Sequence, residues 1–509
     1  MFSLFKTTSY KTGAALAVGA TSFWKLISFL NSVLVALYFG AGADTDVYFY
    51  LIMVIGFGVT FMQRLNNSVL IPEAMFLAEA DLSQSRRFLT LGFYFYLLLA
   101  LVLCLLGLTF PAGIVGLVSR FEPALLAREQ VLLGAAFFLF ATNLLVYYLT
   151  AVAEMHKFFS VALLVPLNAA CPLLALLFLG RHIGIISMMY GFLAANFLQI
   201  TILICLLKTK LHWDFVPRPC TVRPAARKNM LTGQTLAVME IVNSLLPLYM
   251  LSGMGAGVVS ALNYCKQLTD SPTEIVTNRV ANISKIELTE NASRGQINVF
   301  NKNFLSTNHL LLFILTPLAV FSCYFATDIV GLFFERGRFT AQAAADTARF
   351  LRPLIFTVIL LVPSNLQSNT VVAWLKVKEA FPYMFLTTLA LAAAWFLLPV
   401  LGPYAYPYIV LGGLIFGFIV NAFLFKRYFP FVNYFRSFWE LLRLLAINII
   451  ALVPAAAVRM FMGEDDYFLN LLFGGSVYVA ALLLVSYKSR DLQLFLKSTE
   501  ISRIAKKLF

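Results

Sequence analysis

The chain has 509 residues, 61% hydrophobic and only 12% charged, with a formal net charge of +14 and a mean hydropathy of +0.84. A soluble globular domain carries about 25% charged residues, so one water-soluble core is excluded. The positive charge would suit nucleic acid, but it lies in loops on one side of a series of apolar runs, which excludes that partner.

Fourteen apolar runs have membrane-spanning length. In chain order they cover 14–38, 47–70, 88–110, 131–153, 158–180, 184–207, 234–254, 257–285, 304–326, 350–373, 380–399, 405–425, 441–460 and 467–487. Lys6 and Lys11 precede the first run as in a signal peptide, but the run is long and contains Lys25, so it reads as an uncleaved helix. If the N-terminus is cytoplasmic, 26 of the 38 Lys and Arg residues fall in inner segments, 8 in outer segments and 4 within spans. That asymmetry puts both termini inside. The six cysteines form no CxxC pair and read as small apolar residues. The four histidines, at 156, 182, 212 and 309, lie near predicted loops, so no metal site and no cofactor is expected.

The first span carries Lys25 and Asn31, and the second carries Arg64 in its inner half. A lysine and an arginine on neighbouring spans suit the oxygens of a diphosphate arriving from the cytoplasmic leaflet. The plain alternative is that Arg64 snorkels to the interface. Asp44-Thr45-Asp46 lies between these spans on an outer loop. Such a D-x-D holds a metal in some membrane glycosyltransferases, but Asp46 reads better as a cap of the second helix. Glu240 in the seventh span is a candidate ion-coupling carboxylate, or an interfacial residue.

The eighth span is the most polar. Lys266, Asp270 and Glu274 follow one another at i, i+4 and i+8, extended by Asn263 and Asn278, and Arg279 lies close by. On one helix they form a single stripe. Charges at that depth are costly and normally face a water-filled cavity. The stripe therefore predicts a transport path, with Lys266, Asp270 and Glu274 as cargo contacts and Asp270 and Glu274 also as candidates for ion coupling. The Glu335-Arg336-Gly337-Arg338 patch is expected outside, as a mouth element or a turn made by Gly337.

An internal repeat organises the spans. Asn31-Ser32-Val33-Leu34, then Gly40-Ala41-Gly42, reappears as Asn243-Ser244-Leu245-Leu246, then Gly253-Met254-Gly255, at offsets of 212 and 213 residues. Six spans separate the copies, so they run in the same direction, as in parallel repeats. The predicted fold is an all-α polytopic membrane protein of about 14 transmembrane helices, in two parallel-repeat six-helix lobes plus two C-terminal helices. The lobes are 1–207 and 234–430, joined by a basic cytoplasmic linker, 208–233. Two further helices over 431–487 and a basic cytoplasmic tail, 488–509, complete the chain.

Three patches resemble a known family. They are Phe39-Gly-Ala-Gly-Ala-Asp-Thr-Asp46, Leu332-Phe-Phe-Glu-Arg-Gly-Arg-Phe-Thr340, and Ala261-Leu-Asn-Tyr264 with Leu268 and Pro272. Together with fourteen spans they are similar to the MviN/MurJ lipid II flippases of the multidrug/oligosaccharidyl-lipid/polysaccharide exporter superfamily. Where that family has two arginines on its first helix, this chain has Lys25 and Asn31. A family glycine in span eight is Glu274, and span eleven has no carboxylate. The resemblance implies a flippase in the bacterial inner membrane that carries a polyprenyl-diphosphate-linked glycan from inner to outer leaflet by alternating access. Its partners would be that lipid-linked glycan, the bilayer and the cell-envelope synthesis machinery. Lipid II and an exopolysaccharide or O-antigen unit both remain open as cargo. A multidrug cation antiporter and a membrane glycosyltransferase are the rival readings.

Overall fold

The computed structural model describes residues 10–219, 224–272, 278–462 and 466–488, and every regular element among them is helical. Helices are what apolar runs of this length must form, because lipid offers no partner to a backbone N–H or C=O. Among the described residues, eleven helical stretches are long and apolar enough to cross a membrane. They correspond to eleven of the fourteen expected spans.

The chain packs as two units, 1–260 and 261–509. This division by packing falls later in the chain than the division at 208–233 expected from the repeat. The first unit begins with α1 (Tyr10–Phe39) and α2 (Ala43–Leu65). A π-helical turn, Asn66–Leu70, continues α2 into α3 (Ile71–Ala80), so the backbone stays helical from Ala43 to Ala80. There follow α4 (Leu82–Thr109), the short outer helices α5 (Pro111–Val118) and α6 (Pro123–Arg128), and α7 (Gln130–Met155). A 3₁₀ turn at Phe159–Leu164 leads into α8 (Leu167–Ile183), then α9 (Ile186–Leu211), α10 (Pro224–Leu251) and the start of α11 (Val258–Pro272).

Helix α7 is the centre of this unit, with α2, α4 and α9 packed around it. Polar side chains join the helices, as expected where lipid and core are equally apolar. The Asn196 amide donates to the Thr142 hydroxyl at 2.9 Å, and Gln199 donates to Asn168 at 2.6 Å. Helices α8 and α9 approach closely because Gly191 has no side chain: a Cβ there would lie 2.4 Å from Pro172 Cα. Among the described residues of α10, Val238–Leu251 is an apolar stretch, and it falls in the seventh expected span.

The second unit takes most of α11, then α12 (Asn278–Ser293), α13 (Ile297–Tyr324), α14 (Ala326–Phe334), α15 (Ala341–Leu354) and α16 (Thr357–Ala373). It ends with α17 (Val377–Ala394), the single turn α18 (Leu398–Leu401), α19 (Tyr406–Tyr428), α20 (Tyr434–Met462) and α21 (Tyr467–Lys488). The expected eighth span, 257–285, is described as α11 and the first part of α12. Residues 273–277 lie outside the described residues. The tenth expected span is not one helix: it breaks at Ile355 and Phe356, between α15 and α16. Helices α20 and α21 pair with each other, and α20 lies along α13.

Candidate functional site: a charged face on α2 and α10

Helices α2 and α10 pack against one another in the first unit. They run antiparallel. Asp46, in the first turn of α2, meets Gly257 and Ser260 just beyond the C-terminus of α10. At the far end of α2, Arg64 meets Glu240 in the interior of α10. Arg64 lies 18 residues beyond Asp46, about 27 Å along a helix, and Glu240 lies 11 residues before Leu251, about 16 Å. Helical side chains lean towards their own N-terminus. The arginine therefore leans back along α2 and the glutamate back along α10, which closes the difference in depth.

Arg64 and Glu240 form an ion pair whose side chains are 47% and 51% exposed. At the bilayer centre each charge would cost about 2.5–3.5 kcal/mol or more, so an exposed pair like this one suits water or the membrane interface. A cavity of about 110 Å³ opens beside the pair, walled by Phe57, Phe61, Ile241 and Ser244. The sequence assigned Arg64 to cargo and Glu240 to ion coupling as separate functions. The structure makes them partners.

The other expected residues of this unit stand on α1, which packs on α8 and on the 3₁₀ turn before it. Lys25 is half-buried, and its ammonium lies 4.7 Å from the centre of the Trp24 ring. It is 14 residues before Phe39, about 21 Å by helical rise, and so deep within the span. Asn31 is buried, and its amide donates to the Ala169 carbonyl on α8 at 2.9 Å.

In the second unit, Lys266 is half-buried, with its ammonium 5.6 Å from the centre of the Tyr406 ring, which itself stacks on Trp395. Asp270, one turn on, is exposed, whereas Asn263, one turn back, is buried. Glu274 and the side chains of Asn278 and Arg279 lie outside the described residues.

Two expectations are corrected here. Asp44-Thr45-Asp46 is not in a loop but in the first turn of α2, and Asp46 does not cap that helix. The Thr45 hydroxyl accepts the Gly42 N–H at 2.7 Å in that role. Asp46 is instead 1% exposed and caps α11. It accepts the Gly257 N–H at 2.6 Å, the Ser260 N–H at 2.7 Å and the Ser260 hydroxyl at 2.6 Å. The preference for a short acidic cap was right in chemistry but assigned to the wrong helix, because the second partner is more than 200 residues away. Asp44 pairs with Arg128.

The second correction is His309. It is not near a loop: α13 begins at Ile297, and His309 lies buried in its interior. Its Nδ1 meets Glu440 Oε1 on α20 at 2.7 Å, and the Asn308 amide donates to the same carboxylate at 3.2 Å. No periodic pattern within one helix signals such a pair. A second buried contact in this unit joins Arg459 to Asp328 at 2.9 Å, with Thr327 and Asn470 completing it. At the Glu335–Arg338 patch, Gly337 adopts φ +61°, and the Tyr467 hydroxyl donates to Glu335 at 2.8 Å. Among the described residues no group of three or more His, Cys, Asp or Glu is placed to hold a metal.

This architecture is that of a known class of membrane transporters. A solved structure of "Lipid II flippase MurJ, inward closed conformation" matches with a TM-score of 0.77 at 20% identity, over 94% of this chain and 99% of that one. A multidrug resistance MATE family transporter of the MOP superfamily matches in its inward-facing conformation with a TM-score of 0.59 at 14% identity, covering 86% of this chain and 96% of that one. An outward-facing MATE structure matches at 0.56 and 13% identity, over 87% and 97%. No curated protein matches. The family model described as "Lipid II flippase MurJ" matches residues 35–474. The chain belongs to the MurJ lipid II flippase family, and is a multi-pass membrane transporter rather than an enzyme.

Proposed function

We propose that the protein carries a polyprenyl-diphosphate-linked saccharide, lipid II or a related glycan precursor, from the inner to the outer leaflet of the bacterial plasma membrane by alternating access. The observation that carries this reading is the family match over residues 35–474. Cations on three helices support it: Lys25 within α1, Arg64 in the last turn of α2 and Lys266 within α11 offer charge to an anionic head group. Asn31, bonded to α8, fixes the helix that presents Lys25. Asp270, one turn beyond Lys266 on α11, Glu240 and, by its spacing in the sequence, Glu274 are the carboxylates available for ion coupling. Both termini are cytoplasmic in this reading, and the envelope synthesis machinery supplies the cargo.

A negative-inside membrane potential favours outward movement of an anion by about 2.3 kcal/mol per charge per 100 mV. That drive needs no nucleotide, and the sequence has no G-x-x-x-x-G-K-[ST] phosphate loop. An exopolysaccharide or O-antigen unit is the second reading, favoured by Asn31 where the family has an arginine.

The test is depletion of the protein in its own host, followed by extraction of lipid-linked glycans from each leaflet. Lipid II accumulating inside supports the first reading, and a different polyprenyl-linked glycan supports the second. Normal externalisation of every such precursor overturns both.

A further inference from the structure

The Arg64–Glu240 pair differs from ion pairs buried between helices elsewhere in this protein. In the second unit, Arg459 and Asp328 are 17% and 1% exposed, and neighbouring side chains hold both. That pair is a strut. Arg64 and Glu240 are about half exposed on two different helices, beside an open cavity of about 110 Å³. Ion pairs so exposed are weak and exchangeable. The π-helical turn Asn66–Leu70 begins two residues beyond Arg64 and also touches α10. Single π turns of this kind recur at functional sites.

We propose that Glu240 is the resident counter-ion of Arg64. It neutralises the guanidinium while the site is empty, yields it to the diphosphate of the cargo, and retakes it to promote release. The inference rests on the lipid-diphosphate reading above and adds a positioning residue to it. A diphosphate brings more charge and more acceptor oxygens than one carboxylate, and its oxygens match the planar guanidinium fork. It therefore outcompetes Glu240 for Arg64. Phe57, Phe61 and Ile241 wall the cavity beside the pair. Without the glutamate, the empty site would hold less negative charge against the guanidinium, and so would bind the anion more tightly and release it more slowly.

The test uses the full chain reconstituted in vesicles, with a short-chain prenyl diphosphate as probe. Glu240→Gln should lower the Kd about fivefold, the value of an exposed ion pair. It should lower KM and kcat for transport together, while Glu240→Asp stays near wild type. Arg64→Gln should lose probe binding whichever residue occupies position 240. Unchanged or weaker binding by folded Glu240→Gln overturns the proposal and reduces Glu240 to a helix pin. A second measurement needs no variant: labelling of Glu240 by a water-soluble carbodiimide should rise when wild-type protein is given the probe, and no rise also overturns the proposal. If wild-type protein does not bind the probe at all, the cargo reading fails and takes this inference with it. If it binds while position 240 has no effect, only the counter-ion role fails.

Discussion

Single ionisable residues in this protein differ in how deeply they are buried, and that difference sets what their removal does. Asp46 is fixed. Its carboxylate receives three donors at the start of α11 and is almost fully buried. Asp46→Ala leaves those donors unsatisfied, which costs about 1–3 kcal/mol. The unfolding temperature of the purified variant in detergent should fall accordingly, and Asp46→Asn, which keeps an acceptor oxygen, should fall less. Lys25 is a different case: it is half-buried in α1, and its ammonium lies 4.7 Å from the centre of the ring of its neighbour Trp24. Lys25→Ala should leave membrane expression and thermal stability near wild type and reduce transport at least tenfold. Complementation of a depleted strain by a well-expressed Lys25→Ala variant would remove the residue from the cargo path.

At the scale of the helix, amphipathicity and close approach decide the outcome. Along α11, Leu262 is buried, Lys266 is half-buried and Asp270 is exposed. Cysteines placed at 266 and 270 should react with a small water-soluble thiol reagent, fastest at 270, and one at 262 should not. Equal rates at all three positions would contradict a polar stripe that faces water. The expected continuation of the stripe to Glu274 lies outside the described residues. In the first unit, α8 and α9 meet at Gly191, where a Cβ would fall 2.4 Å from Pro172 Cα and 2.8 Å from the Cys171 carbonyl oxygen. Backbone cannot rotate away as a flexible side chain can. Gly191→Ala should therefore cost about 1–3 kcal/mol and lower the folded yield, measured as the monodisperse fraction after solubilisation.

For the whole molecule, the sequence determined the class directly. The apolar runs are long enough to span a bilayer, and lipid forces such runs into helices whatever surrounds them. That is why eleven of the fourteen expected spans appear as helices of spanning length. Orientation follows from the same one-dimensional information. The 26 to 8 split of basic residues predicts that Cys220, in a linker segment outside the described residues, is labelled by impermeant reagents only after the membrane is opened. Labelling in intact cells would invert the topology.

The three motif patches around Phe39–Asp46, residues 261–272 and residues 332–340 likewise carried the family from sequence alone. Local periodicity left pairing between distant residues undetermined. Lys25, Arg64, Glu240 and Lys266 were each visible as charges in apolar surroundings, but nothing in their spacing said that Arg64 would meet Glu240, 176 positions later in the numbering. Nor did it say that Asp46 would cap α11 or that Glu440 would meet His309. Helix breaks inside apolar runs were equally out of reach, as at Ile355 and Phe356, where an apolar run continues across a real break. Hydropathy records the solvent each residue prefers, and so it fixes spans. Partners are chosen by which helix faces pack together, and only the tertiary structure decides that.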